Sequence, residues 1–171
     1  MPPCLLLDSD LSLDAVASQP LLFADDRWLI AHDLSGTPLA TPIRFGLALS
    51  PTFLYFGYAQ AVSSDTFTPR PVGEFFEGLW EEQVLELFLA ADSGERYQEF
   101  NLSPSGAWWT QPFSAHRVRD NTIPAPKSLE VFAEEGSAGS RSFFRVPRSA
   151  LLVACSLSVG SRANITAIVL D

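Results

Sequence analysis

Hydrophobic and polar residues alternate along much of this chain with a period of two. RSFFRV, FLYFGYAQA and RANITAIVL each place apolar side chains on one side and small or polar ones on the other, as in a half-buried strand. Thirteen prolines and ten glycines interrupt the pattern at short intervals and leave little room for long helices. The segments between them read as strands at 3–8, 11–17, 27–33, 42–49, 53–61, 83–90, 96–103, 107–113, 127–134, 141–146, 151–159 and 162–169. Many short strands at this spacing predict an all-β fold, a single-domain antiparallel β-sandwich spanning 1–171. Two stretches break the rhythm. SSDTFTPRPVGEFFEG, 63–78, reads as a loop with a turn of helix before Trp80, and SAHRVRDNTIPAP, 114–126, as a second long connection.

The middle of the chain constrains itself most. VLELFLA and RYQEFNLS are separated by Asp92-Ser93-Gly94-Glu95, which suits a hairpin. Pleating then restricts the register. With Leu87 opposite Phe100, Leu85 meets Leu102, and one face of the hairpin is apolar almost throughout. The other face pairs Glu86 with Asn101, Phe88 with Glu99 and Val84 with Ser103. A slip of one residue would press Asn101 against Leu87 and bury polar groups, so this register is the favoured one.

SPSGAWW follows. Pro104 suits the second position of a type I turn and Gly106 the left-handed position after it. With a glycine bulge, Ser103 pairs with Ala107, Trp109 lands across from Asn101, and Trp108 enters the core; without the bulge the two tryptophans exchange roles. The turn chemistry favours the bulged arrangement. The resulting sheet face carries Glu86, Glu99, Asn101 and one tryptophan, with Trp80 just upstream. Carboxylate and amide groups beside indole planes are what a sugar needs, since its hydroxyls take hydrogen bonds and its C–H faces stack on aromatic rings. The plain alternative is that this face is the solvated outer side of a sandwich.

Charge narrows the partners. The chain carries 11 basic and 20 acidic residues, a net charge of −9. Nucleic acid requires a basic surface that displaces counterions, so none is expected as a partner, and adhesion to anionic lipid is disfavoured for the same reason. A saccharide or another small neutral ligand meets no such barrier. The acidic surface and aromatic loops would also suit a protein-interaction domain or a homodimer. MPPCLLLDSDLSLD has no basic n-region, and no apolar run reaches the length of a membrane span, so the expected location is cytoplasmic. Cys4 and Cys155 each lie in an apolar segment and read as small buried thiols.

The stretch LWEEQVLELFLAADSGERYQEFNLSPSGAWW, followed by PFSAHR, resembles bacterial DOMON-like proteins, which are related to the family 9 carbohydrate-binding modules. The resemblance covers residues 79–117, with VPRSALL matching a later turn segment. It implies a jelly-roll or immunoglobulin-like sandwich and a non-catalytic ligand-binding module. It further implies that Trp80 stacks on a terminal sugar and that Glu86 and Asn101 contact hydroxyls; the register reading adds Trp109 as a stacking residue, with Glu99 as a variable neighbour. The pattern departs from those relatives in three ways. Glu99 stands where they carry arginine, no tryptophan after Trp109 supplies their second stacking ring, and the chain stops at Asp171 where they commonly run on.

Other chemistries are weaker. Haem-binding DOMON relatives use methionine with histidine or lysine, but the sole methionine is Met1, and His32 and His116 read as ordinary residues. DSDLSLD at 8–14 has acids at positions 1, 3 and 7 but lacks the glycine and final glutamate of a calcium loop; no cofactor is expected, and calcium is a weak second reading. Glu86 and Glu99 are diagonal neighbours within the separations glycosidases use, yet no nucleophile–base motif accompanies them, and the expectation is not an enzyme.

Overall fold

The alternating segments pair into two sheets that face each other across an apolar core. The structure, a computed structural model, describes residues 4–18, 29–60, 67–90, 95–136, 139–152 and 161–169. In chain order the elements are β1 (Leu5–Leu6), α1 (Leu13–Ser18), β2 (Leu29–His32), β3 (Pro38–Leu49), β4 (Phe53–Gln60), β5 (Val84–Ala90), β6 (Tyr97–Leu102), β7 (Trp108–Ala115), β8 (Val118–Arg119), β9 (Glu130–Gly136), β10 (Gly139–Pro147) and β11 (Arg162–Ile168). One sheet runs β1-β3-β4-β10-β9 with β2 also paired to β3; the other runs β11-β5-β6-β7-β8. All pairings between these strands are antiparallel except the two-residue β1, which lies parallel to the end of β3. The expected all-β sandwich is the fold observed.

The core forms where the two inner faces meet. Leu85, Leu87, Leu89, Phe100, Leu102 and Trp108 of the second sheet pack against Ile43, Phe45, Leu47, Leu54, Phe56 and Phe144 of the first. Each set occupies alternate positions of its strands, as pleating requires. At Gly57 the two central strands of the first sheet come so close that a Cβ would lie 2.2 Å from that of Phe143.

Four expectations need correction. Residues 11–17 do not form a strand: Leu13–Ser18 is a helix. Ser12 caps it, its Oγ accepting from the Ala15 amide at 3.1 Å, and Val16 is buried against Ala48, Tyr55 and Phe143 on the outer face of the first sheet. The Leu11–Leu13 alternation disguised the cap. The connection at 114–126 is also not all loop, because Val118–Arg119 folds back on β7. Cys4 is exposed, next to the edge strand β1; Cys155 lies outside the described residues. Glu82 pairs with Arg70, whose guanidinium lies 3.3 Å from the Phe76 ring centroid. Of the expected strand at 151–159, residues 153–160 lie outside the described residues, and Leu151 and Leu152 belong to the core rather than to a strand.

Candidate functional site

The expected register of the central hairpin is the one observed. Leu87 pairs with Phe100, Glu86 with Asn101 and Phe88 with Glu99. The turn that follows is the bulged one. Gly106 has φ +87°, the Ser103 amide donates to Ala107 O at 2.9 Å, and Trp109 stands opposite Asn101 with Trp108 in the core. A rung therefore crosses four strands of the second sheet on its outer face: Thr166, Glu86, Asn101, Trp109. The next rung is Asn164, Phe88, Glu99, Gln111.

Residues 73–76 bring Trp80 to this face. They run beside β7, with Phe76 N donating to Trp108 O at 3.0 Å and Trp108 N to Glu74 O at 2.9 Å, while the Trp108 indole donates to Gly73 O at 3.0 Å. Gly78, at φ +93°, then opens a 3₁₀ turn over Leu79–Glu81, which contains Trp80 rather than preceding it as expected. Trp80 ends half-buried against Trp109, the two rings edge to face with centroids 4.6 Å apart.

The face is an open groove of about 1470 Å³, in which Trp80, Glu86, Glu99 and Trp109 all line the wall or floor. Asn101 is placed differently from the other four expected residues. It is fully buried behind the floor, its Nδ2 donating to Glu99 Oε1 at 3.3 Å and its Oδ1 without a partner among the described residues. Trp109 is also nearly enclosed, 2% exposed, and its indole N–H donates to Glu77 Oε2 at 2.9 Å. Trp80 is thus the indole open to the groove.

Sequence reasoning missed several members of the site. Tyr97 and Phe113 stack with centroids 4.6 Å apart and planes 4° from parallel, and Phe88 leans on Tyr97. They follow from the same alternation that placed Glu99, and the observed register makes them visible. Thr166 donates to Glu86 Oε2 at 2.6 Å, which required knowing that β11 pairs with β5. Arg119, from the segment read as loop, sits 5.0 Å from the Trp80 ring and 5.4 Å from that of Trp109 and bonds Glu77 at 2.7 Å. No local pattern announced it. His116 lies at the exposed rim. Asp10, of the acidic run, accepts from Ser50 and Thr52, and no cluster of three or more His, Cys, Asp or Glu side chains suited to a metal ion occurs among the described residues.

Burial, and then the charge of Glu86, push the Glu99 carboxyl from 4.5 up to about 7, against smaller opposing effects of Asn101 and Arg119. Burial would also raise Glu77, but the hydrogen bonds from Trp109 and Arg119 outweigh it and hold that carboxyl below its ordinary value. Glu99 carries a stability consequence. Its folded pKa exceeds its unfolded one, so the native state binds that proton more tightly. The contribution is complete below about 4.5 and is lost as pH rises through about 7. Each unit is about 1.4 kcal/mol before screening, and partial solvent access reduces the total to roughly 1–2 kcal/mol. Glu99→Gln is therefore expected to flatten the decline in urea-unfolding free energy between pH 5 and pH 8. Parallel pH curves for the two proteins would contradict it.

No protein-family model matches the chain, and no curated protein matches it. Among solved structures, it is similar to a proposed carbohydrate-binding protein from Bacteroides uniformis ATCC 8492 at a TM-score of 0.61 and 14% identity, over 96% of this chain and 83% of that one. It is also similar to a family 9 carbohydrate-binding module from Caldicellulosiruptor kristjanssonii in complex with glucose, at a TM-score of 0.47 and 13% identity over 88% of this chain and 72% of that one. A family 9 carbohydrate-binding module from the same organism in complex with cellotriose gives 0.44 and 12%, over 85% and 67%. These likenesses are of fold. No helix among the described residues is long and apolar enough to cross a membrane.

Proposed function

We propose that this chain is a non-catalytic carbohydrate-binding module of DOMON-like type, and that its ligand lies in the outer groove of the second sheet. The observation that carries the reading is the placement of the Trp80 indole in the same open groove as the Glu86 and Glu99 carboxylates. A pyranose offers an apolar C–H face and a rim of hydroxyls, and this groove offers a ring for the first and acceptors for the second. Trp109, locked edge-on beneath Trp80, holds that ring in place. Asn101 acts from behind, orienting Glu99. The solved structure with the stronger fold likeness is that of a proposed carbohydrate-binding protein, which supports the reading.

Tryptophan fluorescence tests it directly, because Trp80 and Trp109 share the site. Titration with a panel of mono- and oligosaccharides, with and without calcium, is expected to shift the emission saturably. Trp80→Ala is expected to weaken binding at least tenfold, about the 1–3 kcal/mol of a lost stacking platform. No response across the panel, or an unchanged titration in Trp80→Ala, defeats the proposal. A second reading, an interaction domain that has lost sugar binding, draws on Arg119, whose guanidinium already covers the indole pair. The unresponsive outcome is the one it predicts.

A further inference from the structure

The floor of the groove has an imbalance of hydrogen-bonding partners. Its acceptors are Glu86 and Glu99, on adjacent rungs of the neighbouring strands β5 and β6. Four of the nearby donors are already used on the protein itself, and the Asn164 amide, which also lines the groove, stands a rung from Glu86 opposite Phe88. The Thr166 hydroxyl bonds Glu86, the Asn101 amide bonds Glu99, and the Trp109 indole and Arg119 bond Glu77. Each floor carboxylate shows one such hydrogen bond, although an ionised carboxylate offers about four acceptor sites. Behind them, the fully buried Asn101 carries an Oδ1 that no donor among the described residues reaches. An ordinary sugar hydroxyl both donates and accepts, and would find acceptors here with few donors to return the bond.

The geometry points to a more specific ligand. We propose, resting on the saccharide reading above, that the groove selects sugars bearing a protonated amino group and seats that ammonium between Glu86 and Glu99, with the ring stacked on Trp80. An ammonium group has three donors and no acceptor, which matches this floor. Its charge also offsets the mutual repulsion of two carboxylates in a partly desolvated groove, where such repulsion is strongest. The aromatic side chains Phe88 and Tyr97, on the same face, present ring surfaces that attract a cation.

The cations of the groove do not occupy this position. Arg119 is held by Glu77 and the two indoles. Arg117 lies in the turn after β7, its amide donating to Tyr97 Oη at 3.2 Å, and is exposed at the rim with His116. Arg162 stands two rungs from Glu86, opposite Ala90. With Glu95 these are the remaining charged or titratable groups lining the groove. The raised Glu99 carboxyl agrees with the assignment, since a cation seated beside it favours its ionised form and would displace a proton near neutrality.

Calorimetric titration at pH 7 and low salt with glucose, glucosamine, N-acetylglucosamine and cyclohexylamine separates the alternatives. Glucosamine is expected to bind at least tenfold more tightly than glucose or N-acetylglucosamine. It is also expected to release protons, seen as a heat that depends on the ionisation enthalpy of the buffer. Glu99→Gln, nearly isosteric, is expected to shrink the glucosamine preference to threefold or less and to abolish the proton release; circular dichroism confirms that the variant is folded. Equal affinity for glucose and glucosamine overturns the amine assignment and leaves the saccharide reading standing. Cyclohexylamine binding as tightly as glucosamine, with glucose silent, overturns the saccharide reading instead. Silence from all four overturns both.

Discussion

Gly57→Ala is expected to cost about 3 kcal/mol or more of folding stability, at or beyond the upper end for overpacking a core. A single methyl group has this effect because of where it would go. Its Cβ would lie 2.2 Å from Phe143 Cβ, 2.5 Å from Ser142 O and 2.7 Å from Phe143 Cα. Two of those atoms are backbone and the third is rigidly attached to it, so no rotamer change can make room. Relief requires β4 and β10 to separate at the middle of the first sheet, where Phe143 pairs with Gly57. The clash also reaches the core. Phe56 and Phe144 lie opposite one another in that ladder, with ring centroids 5.6 Å apart. Urea denaturation monitored by circular dichroism is the check, and a loss below 1 kcal/mol would contradict the close approach. Gly136→Ala is the internal control, because nothing lies within 4 Å of a Cβ placed there.

The physics that made parts of this protein legible in its sequence is local and periodic. Glu86 opposite Asn101 followed from pleating, a hairpin loop and the cost of burying polar groups, and the same logic set Trp109 beside Asn101. Those steps depend on neighbours within about twenty residues. Burial depth does not. Asn101 sits on the expected face, yet Glu99 and the rung around it cover the amide completely, and the sum of several side-chain volumes decides that. Arg119 and Glu77 escaped notice for a related reason. They are 42 residues apart and meet over the indoles only because two irregular segments fold onto one sheet. Residues 11–17 failed differently. Leu11, Leu13 and Ala15 alternate, but Ser12 caps a helix whose Val16 fills the outer face of the first sheet, so packing and capping overrode a short period-two signal.

Trp108→Ala is expected to destabilise the protein by about 4 kcal/mol, within the 3–5 kcal/mol typical of emptying a buried tryptophan site. Trp108 and Trp109 are adjacent and almost equally enclosed, at 1% and 2% exposure, so burial alone predicts similar losses. Their surroundings differ. Trp108 packs in the main core between the sheets, and its indole is the donor to Gly73 O and edge-to-face neighbour of Phe75 at 5.1 Å. Its removal leaves an apolar cavity that water cannot usefully fill and strips a carbonyl of its partner. Trp109 belongs to the smaller outer cluster with Leu79, Val84 and Phe113 and lines the open groove, so water can enter the space that Trp109→Ala creates. Its expected cost is about half as large, of order 2 kcal/mol, with the difference appearing in binding because Trp80 loses its edge-on support. Guanidinium denaturation of both variants beside saccharide titration makes the comparison. A Trp109→Ala loss equal to or greater than that of Trp108→Ala would mean that the outer cluster, rather than the space between the sheets, carries the structural load at this turn. The groove would then be part of the hydrophobic core and not a surface held ready for a ligand.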